Sequence, residues 1–344
     1  SLGACPEHVY SIIFNGAVFP MTHRIVFLDR DTIAPHVNVR QPDFPHEWVV
    51  YDRTPPELVA ERLNGASIAI TNKAPIRADT LDGLDDLKMI AVAATGTDVL
   101  DVEACNARGI VISNIRGYAE NTVPEHAFAL ILALRRSIVG YRRDVAAGKW
   151  LEADQFCFFD HPIEDLAGKQ LGILGEGVLG SSVAAIAENG FRMKAAFLDH
   201  AYVTDEARKS KTFLALPDLL ATSDVLTVHC PLTPDTHHLL DIDAFKQMKP
   251  NALVVNTARG AVIKEEDLAK AVEDGMIAGA GIDVLASEPP SNDHPYMKLL
   301  ERPNFILTPH VAWASTEAMQ TLSDQMIDNI ENFVNGNPTN VVSK

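Results

Sequence analysis

The sequence predicts an α/β protein built from two doubly wound parallel-sheet domains. Short apolar runs alternate with segments of helical periodicity along most of the chain, and they do so in two successive series. Because strands separated by a helix pair in parallel, each series predicts a parallel sheet covered by helices on both faces. With 344 residues, 47% of them hydrophobic, the chain can also supply two cores.

The first series begins at Met21. Its predicted strands are short apolar runs at 24–28, 48–51, 67–71, 88–93 and 110–113. Helical patterns lie between them, for example at 55–64 and 99–108. Residues 1–20 include a short apolar stretch at 9–14 with neither a basic flank nor a small-residue cleavage site. We therefore expect an N-terminal extension, native or not, rather than a signal peptide.

One long helix is predicted between the two series, over 122–147. Pro124 falls in its first turn, where a missing N–H is tolerated, and Gly148 ends it. The centre of this helix, 127–134, is apolar on every side. A helix of that kind is buried all round, either within its own fold or against a second subunit.

The second series follows the long helix. Its predicted strands are at 170–174, 195–198, 225–229, 252–256 and 277–282. An amphipathic helix at 315–334 ends the pattern. Its apolar positions keep helical spacing and are Met319, Leu322, Met326, Ile330 and Phe333.

Charge and cysteine content exclude several classes of function. Lys and Arg total 29 against 46 Asp and Glu, a net charge of -17, which disfavours nucleic acid and anionic membranes as partners. A small anionic substrate would need a local cation. The four cysteines (Cys5, Cys105, Cys157 and Cys230) are scattered, which predicts reduced thiols, a cytoplasmic location and no metal site. No apolar run approaches the roughly 18 residues of a membrane span.

A glycine-rich turn follows the strand at 170–174 and reads Gly175-Glu176-Gly177-Val178-Leu179-Gly180. In a dinucleotide-binding turn the first glycine allows the tight bend, the second lets the backbone approach the pyrophosphate, and the third permits close helix packing. The N–H groups of the next helix, starting near Val178 and Leu179, would face the phosphates. Asp199, 19 positions after Gly180, follows the next strand and favours NAD over NADP.

Two questions stay open at this motif. The same letters occur in glycine-rich turns of other α/β proteins, so the prediction depends on the strand and helix around them. Glu176 also places a carboxylate inside the phosphate loop. It either points outward without effect or weakens pyrophosphate binding.

Three later segments carry residue types suited to the reduction of a 2-oxo acid. Arg259 follows one strand, Glu288 lies shortly after the next, and His310 comes later still. Arginine binds carboxylates bidentately, histidine exchanges protons near neutral pH, and a neighbouring carboxylate orients the imidazole and favours its charged form. Taken singly, each has a simpler explanation as a surface ion pair, a solvated acid or a structural histidine.

Together these segments resemble the D-isomer-specific 2-hydroxyacid dehydrogenase family, from Met21 to the C-terminus. The resemblance is carried by the glycine motif and by four further segments, His229-Cys230-Pro231-Leu232-Thr233-Pro234, Asn256-Thr257-Ala258-Arg259-Gly260, Asp283 through Glu288-Pro289-Pro290, and Pro309-His310. It implies that Arg259 binds substrate and takes part in catalysis, that Glu288 partners the histidine, and that His310 is the acid/base.

The resemblance also implies binding residues. Thr95, Gly96 and Thr97 would form the substrate loop, which without it would be an ordinary strand-to-helix turn. Asp283 would bind the nicotinamide carboxamide. The cofactor cleft would be lined by His229, Cys230, Pro231, Thr257, Ala258, Arg259 and His310, although His229 is equally well explained as a packed residue at a strand end.

The family architecture implies a discontinuous, flavodoxin-like substrate domain of 21–116 and 309–344. An NAD-binding Rossmann-like domain would span 117–308, with the active site in the cleft between the two and a homodimer formed through the cofactor domain.

Within the family, the bacterial glycerate dehydrogenases, or hydroxypyruvate reductases, resemble the chain most. The resemblance to this subgroup is carried by Thr71-Asn72-Lys73, by 94–97 and by 310–315. Trp313, in the last of these segments, would either line the substrate site near C3 of the substrate or pack in the core. Glyoxylate would be a second substrate. The alternatives are a reductase of a bulkier 2-oxo acid, or an NAD(H)-sensing binding protein similar to the C-terminal-binding-protein corepressors.

Overall fold

The computed structural model describes residues 11–14, 17–20 and 22–342. The chain divides into two compact units. The first takes in the described residues up to Tyr118 and those from Thr316 onward, and the second is Ala119–Ser315. None of the helices in these described ranges combines the length and the apolar character that a membrane span requires.

The first unit contains a parallel sheet of five strands, in the order β4-β3-β5-β6-β7. Its strands are β3 (His23–Phe27), β4 (His46–Val50), β5 (Ile68–Thr71), β6 (Met89–Val92) and β7 (Val111–Ser113), and its helices are α1 (Val59–Leu63), α2 (Val102–Ala107) and α11 (Thr316–Val334). A separate antiparallel pair joins β1 (Ser11–Phe14) to β2 (Ala17–Pro20). The order of the five-stranded sheet is that of a flavodoxin-like doubly wound fold.

The second unit contains a parallel sheet of seven strands, in the order β10-β9-β8-β11-β12-β13-β14. Its strands are β8 (Gln170–Leu174), β9 (Lys194–Leu198), β10 (Phe213–Leu214), β11 (Val225–Val228), β12 (Leu253–Asn256), β13 (Gly279–Ile282) and β14 (Phe305–Leu307). Its helices are α3 (Thr122–Arg135), α4 (Ile138–Ala146), α5 (Lys149–Glu152), α6 (Val178–Phe191), α7 (Asp205–Ser210), α8 (Leu216–Thr222), α9 (Ile242–Gln247) and α10 (Glu265–Glu273). The strand order reverses between β8 and β11, where doubly wound sheets bind their ligands.

The predicted α/β class is confirmed, with two parallel sheets and helices around them. Each predicted strand is present within one or two residues of its expected bounds. Three kinds of short element were not predicted. These are the two-residue β10, the three-residue β14, and the β1–β2 pair, which lies where only an extension is predicted.

The prediction of one helix over 122–147 is wrong. Helix α3 ends at Arg135, and α4 begins at Ile138. Ser137 between them has a φ of 52°, in the left-handed region, which no residue adopts inside a helix. The Ser137 hydroxyl donates a hydrogen bond to the carbonyl of Pro162, which compensates part of the cost of this conformation.

Helix α3 is also less buried within its unit than its composition suggests. Phe128 and Ile131 are buried beneath the sheet, but Ala129 is exposed and Leu132 is only half-buried. The helix was expected to be buried either within its own fold or against a second subunit. Its own unit covers only one side of it. Gly148, which ends the region as predicted, has a φ of 89°.

Predicted and observed unit boundaries differ at the second junction. The predicted substrate domain resumes at 309, whereas 309–315 lie with the second unit. Backbone contacts explain this placement, because the N–H of His310 donates to the carbonyl of Asp283, directly after β13. Helix α11 packs on β6 of the first unit, with Leu322, Met326 and Ile330 buried as its periodicity predicts.

Candidate active site and cofactor site

The glycine motif forms a tight turn between β8 and α6 that only glycine permits at two positions. Gly175 has a φ of 108°, and a Cβ there would lie 2.7 Å from the carbonyl oxygen of His229. A Cβ on Gly180 would lie 2.0 Å from the carbonyl oxygen of Gly175. The turn is therefore packed against the end of β11 and against the first turn of α6, as a dinucleotide-binding turn requires.

The N-terminus of α6 is arranged to receive an anion. Gly177 is the N-cap residue, and its carbonyl accepts the first helical hydrogen bond, from the N–H of Ser181. The earlier N–H groups, those of Val178, Leu179 and Gly180, have no partner within the helix, as at every helix start. Around Gly177 no described atom lies within 4 Å of an added Cβ, so this side of the loop is open.

Asp199 lies directly after β9 and forms a bidentate ion pair with Arg208 of α7. Arg208 Nη2 is 2.6 Å from Asp199 Oδ1, and Nη1 is 3.1 Å from Oδ2. The hydrogen bonds from this guanidinium hold the pKa of the Asp199 carboxyl below its usual range. Arg208 was not predicted, because an arginine nine positions further along the chain looks like any exposed helical residue.

The Glu176 carboxylate is paired with a side chain that follows the neighbouring strand. Its carboxylate accepts a hydrogen bond of 2.9 Å from Nε2 of His200, while Nδ1 of His200 accepts one from the N–H of Tyr202. Lys211 Nζ donates to the Glu176 carbonyl and to the Ser181 hydroxyl. Burial acts to raise the pKa of the Glu176 carboxyl, but the His200 hydrogen bond and the Lys211 charge outweigh it and lower that pKa. The carboxylate is thus held by His200.

Two buried polar atoms, His229 Nδ1 after β11 and Thr257 Oγ1 after β12, have no partner among the described residues. Nε2 of His229 lies 2.9 Å from the Thr227 hydroxyl, and burial lowers the pKa of His229 to about 4, so its ring is neutral. Buried polar atoms in native proteins nearly always find partners. These two atoms, the glycine turn and the open helix N-terminus together fit a bound dinucleotide.

Arg259 is positioned by a turn that the Asn256 side chain holds together. The Asn256 amide, at the end of β12 and almost fully buried, donates to the carbonyl of Arg259 and accepts from the N–H of Ala258. The next residue, Gly260, packs so closely that a Cβ would lie 2.0 Å from the carbonyl carbon of Leu285. The turn bearing Arg259 therefore lies against the loop that leads to Glu288.

Glu288 and His310 form a direct pair. Glu288 Oε2 lies 2.6 Å from Nδ1 of His310, and both side chains are 30% exposed. The other carboxylate oxygen accepts the N–H of Leu285. With Nδ1 engaged by the carboxylate, Nε2 is the nitrogen available to exchange a proton with a ligand.

The backbone around His310 is held in an unusual conformation. His310 has a φ of 54°, a region that costs a side-chain-bearing residue about 1–2 kcal/mol. The buried Asp283 carboxylate accepts hydrogen bonds from the N–H groups of Val311 and Ala312 and from the Thr308 hydroxyl. The indole N–H of Trp313 donates to the His310 carbonyl, 3.0 Å away. Neighbours on both sides thus fix the loop of the histidine.

These contacts give Asp283 and Trp313 a structural role beside the predicted one, and they bring in His126, which was not predicted. The Asp283 side chain has no exposed surface, so its contact with a nicotinamide stays a prediction, while its contact with the His310 loop is direct. Trp313 likewise contacts the histidine loop. His126 of α3 was not predicted, and its Nε2 lies 3.1 Å from the Thr308 hydroxyl and 3.6 Å from Asp283.

The predicted substrate loop belongs to the first unit and follows β6. The Thr95 hydroxyl donates to the carbonyl of Ile115, and the Asn114 amide donates to the carbonyl of Thr95. Thr97 closes the turn by accepting the N–H of Leu100. The loop that contains Gly96 is therefore held by the segment after β7, at the carboxyl edge of its own sheet.

Comparison with known proteins identifies the family of the chain. Residues 128–312 match the family described as D-isomer specific 2-hydroxyacid dehydrogenase, NAD binding domain. The glycerate dehydrogenase of Methylorubrum extorquens is 51% identical over 94% of this chain and 99% of its own, and the hydroxypyruvate reductase of Blautia hydrogenotrophica is 36% identical over 87% and 92%. The solved NADPH-dependent glyoxylate/hydroxypyruvate reductase of Sinorhizobium meliloti, in complex with citrate, has a TM-score of 0.79 and 28% identity over 93% and 98% of the two chains.

The predicted family, enzyme class and cofactor are confirmed by these relatives. The chain belongs to the D-isomer-specific 2-hydroxyacid dehydrogenase family and is an NAD-dependent oxidoreductase acting on 2-hydroxy acids.

Proposed function

We propose that this enzyme interconverts D-glycerate and hydroxypyruvate with NAD(H), and that it also reduces glyoxylate. The observation that carries the proposal is the Glu288–His310 pair of 2.6 Å at the carboxyl edge of the sheet, with Arg259 after a neighbouring strand. The choice of substrate is supported by the relatives named glycerate dehydrogenase and hydroxypyruvate reductase.

In the reduction, bound NADH supplies two electrons and a hydrogen to C2 of the 2-oxo acid. His310 supplies the proton to the substrate oxygen from Nε2, and the Glu288 carboxylate at Nδ1 stabilises the positive charge on the imidazole ring. Arg259 binds the substrate carboxylate and polarises the ketone. The local positive charge of Arg259 offsets the repulsion that a chain of net charge -17 exerts on an anionic substrate.

The residues proposed to hold the cofactor surround the glycine turn and the ends of β9, β11, β12 and β13. They are Gly175, Gly177, Val178, Leu179, Gly180, Asp199, His229, Cys230, Pro231, Thr257, Ala258, Arg259, Asp283 and His310. The proposal is supported by the N–H groups at the start of α6, which have no partner within the helix. It is also supported by His229 Nδ1 and Thr257 Oγ1, which have no partner in the described part of the chain.

The residues proposed to contact substrate are Thr95, Gly96, Thr97, Arg259, His310 and Trp313. The proposed role of the substrate loop is supported by the backbone N–H groups of that loop. No described residue accepts a hydrogen bond from the N–H groups of Thr95 and Gly96, so both can donate to a carboxylate.

The proposed substrate is tested by the oxidation of NADH, followed by absorbance, with hydroxypyruvate, glyoxylate and pyruvate in turn. Each acid is repeated with NADPH. The proposal expects kcat/KM to be highest for hydroxypyruvate with NADH and lower for glyoxylate. Turnover of pyruvate alone, or of none of the three while NADH binds tightly, would contradict it.

We further propose that a second copy of the chain covers an apolar surface of the second unit. Eight of the fifteen exposed large apolar side chains among the described residues lie between 138 and 163. They are Ile138, Val139, Val145, Trp150, Leu151, Phe156, Phe159 and Ile163. Such a concentration marks an interface, and the exposed side of α3 precedes it in the chain.

Light scattering after gel filtration tests this homodimer. Leu151 is 92% exposed, so Leu151→Asp can be accommodated in the monomer, but it would place a charge in the interface. We expect wild type to be a dimer and Leu151→Asp a monomer. The control Val50→Asp alters an exposed apolar residue of the first unit and should stay dimeric. A monomeric wild type would refute the proposed dimer.

A cytoplasmic location is also proposed. Cys105, Cys157 and Cys230 are free thiols in the described part of the chain. Reduced, unpaired cysteines are typical of proteins from reducing compartments. Cell fractionation with an enzyme assay of each fraction would test the location.

A further inference from the structure

Three basic side chains lie near the carboxyl end of β9, and each has a different partner. His200 binds the carboxylate of Glu176. Lys211 binds the Glu176 carbonyl and the Ser181 hydroxyl, and its ammonium group lies 5.0 Å from the centre of the Phe197 ring. Arg208 is held by Asp199, the acid proposed to bind the adenosine ribose. Arg208 therefore pairs with Asp199, the residue proposed to favour NADH over NADPH.

Both members of the pair are firmly placed. The N–H of Asp199 donates to the carbonyl of Leu214, which fixes the acid at the end of its strand. The N–H of Arg208 donates to the carbonyl of Thr204, and its guanidinium lies 5.6 Å from the centre of the Phe213 ring. Arg208 takes two of the roughly four acceptor sites of the carboxylate, and the backbone of His200 also donates to it, so acceptor capacity remains for a ribose hydroxyl. The guanidinium can therefore orient Asp199 without blocking it.

We propose that Arg208 is a second determinant of cofactor choice, which orients Asp199 for NADH and binds the 2′-phosphate of NADPH once the Asp199 carboxylate is gone. The inference rests on the proposed ribose role of Asp199. An arginine fork matches a phosphate as well as it matches a carboxylate. A solved relative with the same fold is described as NADPH-dependent, so the fold accommodates the phosphate in that protein.

The Asp199–Arg208 pair should also affect how strongly the enzyme prefers NADH to NADPH. An isolated aspartate would repel a 2′-phosphate with a full negative charge. Here the guanidinium of Arg208, 2.6 Å from Asp199, neutralises much of that charge. Selection against NADPH therefore depends on the Asp199 carboxylate occupying the Arg208 guanidinium. Removal of Arg208 should therefore sharpen the selection against NADPH, while it weakens NADH binding by leaving Asp199 unoriented.

The test measures the dissociation constants of NADH and NADPH by titration calorimetry, which needs no turnover. Asp199→Ala should weaken NADH binding about tenfold and tighten NADPH binding about tenfold, the value of one charge-assisted contact. Asp199→Ala/Arg208→Ala should lose the NADPH gain and keep the NADH loss. Arg208→Ala alone should weaken both cofactors. The pair is exposed, so these variants should fold.

A matched control separates the arginine fork from general positive charge. Lys209 lies on the same helix, pairs with Glu206 at 2.8 Å and is 71% exposed. Asp199→Ala/Lys209→Ala should therefore keep the full NADPH gain. If the gain survives loss of Arg208, or disappears equally with Lys209, the inference is overturned. If Asp199→Ala leaves NADH binding unchanged, the ribose role of Asp199 in the proposed function is what fails.

Discussion

The buried Asp283 carboxylate gives a prediction whose size follows from the structure. It accepts three hydrogen bonds, from the Thr308 hydroxyl at 2.5 Å and from the N–H groups of Val311 and Ala312 at 3.0 and 2.9 Å. In Asp283→Asn one acceptor oxygen becomes an NH₂ donor. At least one of these backbone N–H groups then lies buried without an acceptor, because two donors would face each other.

The expected loss of stability has two parts. A buried N–H without a partner costs about 1–3 kcal/mol, and the surviving bonds become neutral and weaker, so we expect Asp283→Asn to lower the unfolding free energy by about 3 kcal/mol. The left-handed His310 backbone loses its main support at the same time. Because small displacements of catalytic groups are costly, kcat should fall about 100-fold.

Urea unfolding and steady-state kinetics measure the two effects together. Asp165→Asn is the control, since Asp165 is 87% exposed and pairs only weakly with Arg136. This control should leave both quantities unchanged. An Asp283→Asn enzyme with wild-type kcat and a stability loss below about 0.5 kcal/mol would refute the reasoning, since surface substitutions commonly change stability by that little.

Two further predictions concern the same unit. Glu288→Gln should lower kcat about 10- to 100-fold while NADH binding stays near wild type, since the carboxylate contacts His310; an unchanged kcat would exclude its role. Burial lowers the pKa of His229 to about 4 from 6.5, so its contribution to stability is complete above about pH 6.5 and is lost as the pH falls through 4. Between about pH 7 and pH 4, wild type should lose about 3 kcal/mol more unfolding free energy than His229→Gln; equal losses would contradict the burial argument.

Periodicity and the glycine motif were sufficient to predict both sheets, because strand and helix patterns are local. They failed where tertiary contacts decide the conformation. Nothing near Ser137 marks a helix end, and the break there depends on a hydrogen bond to Pro162, 25 residues away. Strands β10 and β14 are two and three residues long, too short to show a pattern.

The residues of the candidate site also fall into two groups, those that local sequence predicts and those that only tertiary contacts reveal. Arg259, Glu288 and His310 were predicted from residue type and from resemblance. Glu288 and His310 proved to be in contact, whereas the roles of all three in turnover stay predictions. His126 and Arg208 could not be predicted, because their importance comes from side chains brought close by the fold. The placement of the Glu176 carboxylate likewise depends on His200, which follows a neighbouring strand.

The proposed chemistry depends on proton transfer by His310, and one comparison tests it most directly. NADH oxidation with hydroxypyruvate is measured for wild type and His310→Gln, with NADH binding measured on the same preparations. We predict that the variant loses about 100- to 10,000-fold in kcat and keeps its affinity for NADH within a few-fold. A variant that retains more than about a tenth of the wild-type kcat would contradict the assignment of His310 as the acid/base.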